Sequence, residues 1–152
     1  MSKYQPRGSP LCGPTALRNA LYVLGKRVSI QRCIDYCALD NYADQFALMR
    51  GIHEFQYVYS EFQTNERNQA LRWVLDGICL LCIDDWSHWI TTYHVHNARW
   101  QLVDSENSKK NKAENGNQIV PWSTLSKRWA AAARLQTDPT DATYYGIKLW
   151  RA

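Results

Sequence analysis

Apolar positions recur at helical spacing from early in the chain. Ala16, Leu17, Ala20, Leu21 and Leu24 form one stripe, which predicts a helix over residues 13–24. Gly25 ends the run. Pro14, with no N–H to donate, suits only the first helical turn. Ser29 is placed to cap a second helix reaching about residue 39, with Ile30, Cys33, Ile34 and Cys37 on one face. Asp40 opens a third expected helix over 41–50, with Tyr42, Phe46 and Met49 at helical spacing and Gly51 as its stop. Phe55, Tyr57 and Tyr59 alternate, a strand pattern over 54–60. Thr64 is the expected cap of a helix over 65–76, with Ala70, Leu71, Val74 and Leu75 inward and Gly77 closing it.

After Gly77 the period changes. Residues 78–84 are a short apolar run and read as a buried strand. Residues 88–96 alternate, with Trp89, Thr91, Tyr93 and Val95 on one side. Asn97-Ala98 is a tight turn, and 99–104 return as a strand. Such short connections fit an antiparallel meander. Residues 105–117 are polar throughout and read as a surface loop. Ser123 is the expected cap of a helix over 124–134, and 143–150 form a last strand. The chain of 152 residues shows no repeat and no internal boundary, so 1–152 is expected to be one domain with one core. Helices first and an antiparallel sheet after them is an α+β layout.

Charge narrows the partners. The net charge is +4, but the basic residues are scattered, and only Lys109, Lys110 and Lys112 cluster. A nucleic-acid partner is therefore not expected. No apolar run approaches the roughly 18 residues of a membrane helix, and the first residues lack a signal-peptide core. A cytoplasmic chain with no membrane contact is expected. Seven Trp and nine Tyr suit an aromatic core or the lining of a groove.

Five cysteines, an odd number, argue against a disulfide framework. Cys33 and Cys37, with Cys79 and Cys82, have spacings that suggest a four-thiolate zinc site. The local pattern is wrong for it: residues three apart on a strand point to opposite faces. His94 and His96 lack an obvious third ligand, and His53 reads as a surface residue. No metal and no cofactor is expected.

Cys12 is different. It lies where the first helix begins, beside unpaired N–H groups and the positive end of the helix dipole, a place that favours an anion. Thiolate is the nucleophilic form of cysteine. Thiol catalysis also needs a base, a group that orients the base, and donors for an oxyanion. His88 opens a strand straight after a polar connection. Asp104 ends the next strand. With the turn at Asn97-Ala98, opposed positions should sum to about 195, so His88 faces about residue 107; a bulge would bring Asp104 closer. Gln5 can offer a side-chain N–H beside the backbone N–H of Cys12. Trp86 and Trp89 flank His88 and either wall a cleft or pack.

These residues carry a resemblance. The chain resembles papain-like cysteine peptidases, in particular the double-glycine leader peptidase (peptidase C39-like) family, the peptidase domain of bacteriocin exporters, and its stand-alone relatives. The similarity lies in Gln5, in Cys12-Gly13-Pro14-Thr15-Ala16-Leu17, in Gly25-Lys26-Arg27-Val28-Ser29, and in His88-Trp89-Ile90 through Val103-Asp104-Ser105. It covers most of residues 5–105. It departs in a Gln5-to-Cys12 gap one residue longer than usual and in Ser105, where the family has Pro. The resemblance implies a papain-like fold, an N-terminal helical part packed on a C-terminal antiparallel sheet. It implies that Cys12 is the nucleophile, His88 the general base and acid, Asp104 the orienting carboxylate and Gln5 the oxyanion donor. The substrate would be a peptide or protein. Two functions stay open: a thiol hydrolase or acyl-transferase acting on a peptide or isopeptide bond, and a non-catalytic module that binds a protein in its aromatic groove. Oligomeric state is not legible.

Overall fold

In the computed structural model, which describes residues 11–37, 44–83, 88–103, 117–130 and 144–152, the first apolar stripe folds as α1 (Cys12–Val23). Ala16, Leu17, Ala20 and Leu21 are fully buried. Gly25 leaves the helix at a φ of 91°, a left-handed conformation that glycine adopts without strain. Helix α2 (Ile30–Cys37) is capped as expected: the Ser29 Oγ accepts the Arg32 N–H at 3.1 Å.

The next boundaries move. Helix α3 spans Gln45–Glu54, and its cap is Asp44, whose side chain accepts the Ala47 N–H at 2.8 Å. The expected cap Asp40 and residues 41–43 lie outside the described residues. Gly51 does not stop this helix. A Cβ there would lie 2.7 Å from the Cys37 Sγ and 3.0 Å from the Leu17 Cδ2. The glycine is a close-packing position between helices, which a stop signal mimics in sequence.

Strand β1 (Tyr57–Thr64) consequently starts and ends later than the expected 54–60. Thr64 closes that strand. Its Oγ1 accepts the Glu66 N–H at 3.1 Å and its hydroxyl donates to Gln69 Oε1 at 2.7 Å. The cap of α4 (Arg67–Val74) is Glu66. Strands β2 (Ile78–Ile83), β3 (His88–His96) and β4 (Arg99–Val103) form the meander that the alternation predicts. A further strand, β5 (Asn117–Pro121), pairs with β4 where only loop was expected to end. Helix α5 (Trp122–Ala130) follows directly, so Ser123 sits inside its first turn and not at its cap. Strand β6 (Tyr144–Arg151) completes the chain.

All pairings are antiparallel, in the order β1-β6-β2-β3-β4-β5. The last strand thus inserts between β1 and β2. This six-stranded sheet is covered on both faces. Leu80, Cys82, Trp89, Ile147 and Leu149 pack with α1, α2 and α3. Cys79, Leu81, Ile83, Ile90, Trp100 and Leu102 pack with α4 and α5. Cys79 and Cys82 therefore face opposite layers, as alternation requires. The architecture is α+β, with the N-terminal helices packed on the sheet and two later helices behind it. No helix among the described residues is long and apolar enough to cross a membrane.

Candidate active site

Cys12 is the first residue of α1, after an N-cap, Leu11, that offers no side-chain bond. Pro14 occupies the first turn, as its missing N–H dictates. Cys12 is 8% exposed. The N-terminal N–H groups of a helix lack intrahelical acceptors, so the position supplies donors beside the sulfur.

Strand β3 runs against this helix. The buried Thr91 hydroxyl donates to the carbonyl of Ala16 at 2.6 Å. That bond ties the strand, three residues after His88, to α1, four residues after Cys12. Trp89, next to His88, lies in the same buried cluster as Cys12, with its ring edge-on to Tyr145 at 6.2 Å. His88 opens β3 opposite Ile83 and is 6% exposed. Alternation along a regular strand assigns it to the face of Ile83 and Ile90, whereas Trp89 and Thr91 turn to α1. Its place as the first residue of the strand leaves its ring at the strand's end.

The hairpin register is close to that expected from its turn. His96 faces Arg99, then an irregularity between His94 and His96 shifts the ladder, so that Thr91 faces Val103. Asn97 takes a φ of 50° in the turn, a conformation asparagine tolerates better than most residues. The His94 ring nitrogen bonds to the Asn97 carbonyl and the ring lies 5.2 Å from that of Trp100, so His94 serves this turn. Asp104, Gln5 and Trp86 lie outside the described residues.

Three of the other thiols are chemically distinct from a nucleophile. Burial pushes Cys33, Cys37 and Cys79 up to about 12, with the neighbouring Cys37 adding to the rise at Cys33. These groups stay protonated at neutral pH and pack as small hydrophobes. Thr91 is the residue that sequence reasoning passed over. The adjacent hydroxyls of Thr91 and Thr92, following the apolar Trp89-Ile90, were the available signal, since a buried donor must find an acceptor. A hollow of about 490 Å³ lined by His53, Glu54, Gln56 and Tyr57 sits at the α3–β1 junction. Neither Cys12 nor His88 is among its lining residues.

No family model matches this sequence, and no curated protein matches it. Solved structures do. A double glycine motif protease from an AMS/PCAT transporter, in complex with the leader peptide, aligns with a TM-score of 0.70 and 10% identity, covering 100% of this chain and 91% of that one. The fold is that of double-glycine peptidase domains. The peptidase domain of Streptococcus ComA, a bifunctional ABC transporter of a quorum-sensing pathway, gives a TM-score of 0.70 at 11% identity, with 100% of both chains covered. The N-terminal peptidase C39-like domain of a toxin secretion ATP-binding protein from Vibrio parahaemolyticus gives 0.60 at 13%, covering 95% of this chain and 98% of its own. The double-glycine peptidase fold is thus shared at 10–13% identity.

Proposed function

We propose that this chain is a cysteine peptidase, or a closely related thiol amide hydrolase or acyl-transferase, acting on a peptide or isopeptide bond. The observation that carries the reading is the placement of Cys12 at the first residue of a helix that is hydrogen-bonded to the strand His88 opens, in a fold otherwise seen in peptidase domains. In this reading His88 takes the thiol proton and the Cys12 Sγ attacks the substrate carbonyl carbon. The Cys12 N–H and the Gln5 side-chain amide receive the negative oxygen. Collapse of the tetrahedral intermediate breaks the C–N bond, and His88 returns its proton to the leaving amine. Water, deprotonated by His88, then cleaves the thioester and regenerates the thiol.

Asp104 is assigned the role of orienting the imidazole. The ladder shift near His94 supports this. Along the described ladder it moves opposed positions by one residue in the direction that pairing needs. Trp86 is assigned to the cleft wall, and Trp89, on the face of the sheet turned to α1, packs in the buried cluster that holds Cys12. The reading requires the His88 ring to turn over the end of β3 toward Cys12. A peptide substrate is supported by the leader peptide bound to one structural neighbour. The cytoplasm is the proposed compartment, in keeping with five free thiols.

The test is turnover of a quenched-fluorescent peptide library by the whole chain, with products identified by mass spectrometry. Cleavage that disappears in Cys12→Ala and His88→Ala, with both variants folded, is the expected result. Cleavage surviving in Cys12→Ala overturns the proposal.

A further inference from the structure

The two edges of the sheet are built differently. The β5 edge is five residues long and ends in Pro121, which has no N–H to offer a new strand. The β1 edge is eight residues long and contains no Pro, Gly, Lys or Arg. It pairs with β6 in unbroken register from Tyr57 to Thr64. Among the described residues nothing pairs with its other side. A long flat edge with free backbone donors and acceptors is a template for a further strand. The side chains beside it are also open: Val58 and Tyr59 are exposed, and so is Trp150, which faces Val58 across the ladder.

We propose that this edge is a self-association surface, on which β1 of a second copy adds antiparallel to β1 across a two-fold axis at Ser60. The residues themselves select the register. A two-fold axis normal to the sheet keeps each side chain on its own face, so opposed residues must share parity. Centring on Glu61 sets Glu61 against its own copy, a like-charge pair that destabilises a ladder. Centring on Tyr59 leaves Phe62, Gln63 and Thr64 unpaired. Centring on Ser60 pairs 57–63 of one strand with 63–57 of the other. Val58 then meets Phe62, Tyr59 meets Glu61, and Tyr57 meets Gln63. The only charged residue of β1 thus opposes a neutral one. Val58 becomes enclosed between Trp150 of its own chain and Phe62 of the second copy. The six-stranded sheet becomes one continuous sheet of two copies, and the exposed edge is consumed.

The test is sedimentation velocity of the full chain across a micromolar concentration series, joined to cysteine cross-linking. Wild type and Ile119→Lys, altered on the β5 edge, are expected to dimerise alike. Ser60→Lys, which sets two ammonium groups against each other at the axis, is expected to weaken the dimer at least tenfold with an unchanged circular dichroism spectrum. Ser60→Cys should give a disulfide-linked dimer under mild oxidation. Opposed residues of an antiparallel ladder lie about 4.5–5.5 Å apart at Cα, inside the disulfide range. Val58→Cys, whose partner is Phe62, should not. A chain that stays monomeric throughout the series overturns the proposal, as does a dimer indifferent to Ser60→Lys, or equal cross-linking at positions 58 and 60.

Discussion

Replacing Thr91 by valine tests the joint between α1 and β3. The hydroxyl donates to the Ala16 carbonyl at 2.6 Å, and both residues are fully buried. Valine keeps the branch but not the donor. The carbonyl still accepts a helical N–H within α1, so it is not orphaned, and the net loss is that of one buried hydrogen bond, about 0.5–1.5 kcal/mol. A methyl group cannot sit as close to an oxygen as the hydroxyl does. The helix and strand must therefore part slightly, which brings the expected cost to about 1–2 kcal/mol. For a chain of this length that lowers Tm by roughly 2–4 °C per kcal/mol. The assay is urea unfolding followed by Trp fluorescence, with a lower midpoint and an unchanged slope. A second readout separates position from stability. Under conditions where the variant is fully folded, alkylation of Cys12 by iodoacetamide should slow in Thr91→Val. It should hold in Thr91→Ser, which keeps the donor. A valine variant as stable as wild type, with Cys12 labelled at the same rate, refutes the view that this bond sets the helix against the strand.

The Gly51 contact gives a paired prediction: Gly51→Ala forces a Cβ to 2.7 Å from the Cys37 Sγ and should cost about 1–3 kcal/mol, part of which Cys37→Ala restores in the double mutant by urea unfolding. The thiols raised to about 12 set the alkaline limit. Their folded values lie above the unfolded value, so their contribution is fully present below about pH 9. It is lost as the pH rises from there through about 12, and urea midpoints measured from pH 7 to 11 should be flat and then fall. The Lys148–Asp76 pair, 2.5 Å apart with Asp76 84% exposed, should matter little. Asp76→Asn is expected to cost under about 0.5 kcal/mol in thermal unfolding, because solvent screens it. Lys148→Ala should cost more in the same assay, since the ammonium also bonds to the Trp73 carbonyl at 2.6 Å and lies 4.7 Å from the Trp73 ring centroid.

Local chemistry was readable where one residue type leaves few options. Pro14 fixes the start of α1 within a residue, Ser29 caps α2, and the short turn at Asn97-Ala98 sets the β3–β4 register to within one position. What failed was read from signals with two physical meanings. Gly51 looks like a helix stop and is instead a contact too close for a Cβ. Thr64 looks like a cap and is the buried end of a strand whose hydroxyl serves Glu66 and Gln69. Strand β5 is short and follows a polar run, so its pattern is too brief to register. The insertion of β6 between β1 and β2 has no local signature, because pairing of strands distant in sequence is decided by the assembled core. The same limit applies to the candidate site. The places of Cys12 at the start of α1 and of His88 at the start of β3 were legible from local context, whereas the bond from Thr91 that joins the two elements emerges only when helix and strand are packed together.

The central claim is that Cys12 is activated by His88, and selective alkylation measures it most directly. The whole chain is treated with iodoacetamide at pH 6, and modification at each of the five cysteines is followed by peptide mass mapping. Rapid labelling confined to Cys12, and lost in His88→Ala, is the expected result. Slow and uniform labelling of all five, or labelling of Cys12 that is indifferent to His88→Ala, contradicts the account and leaves a peptidase fold used for binding.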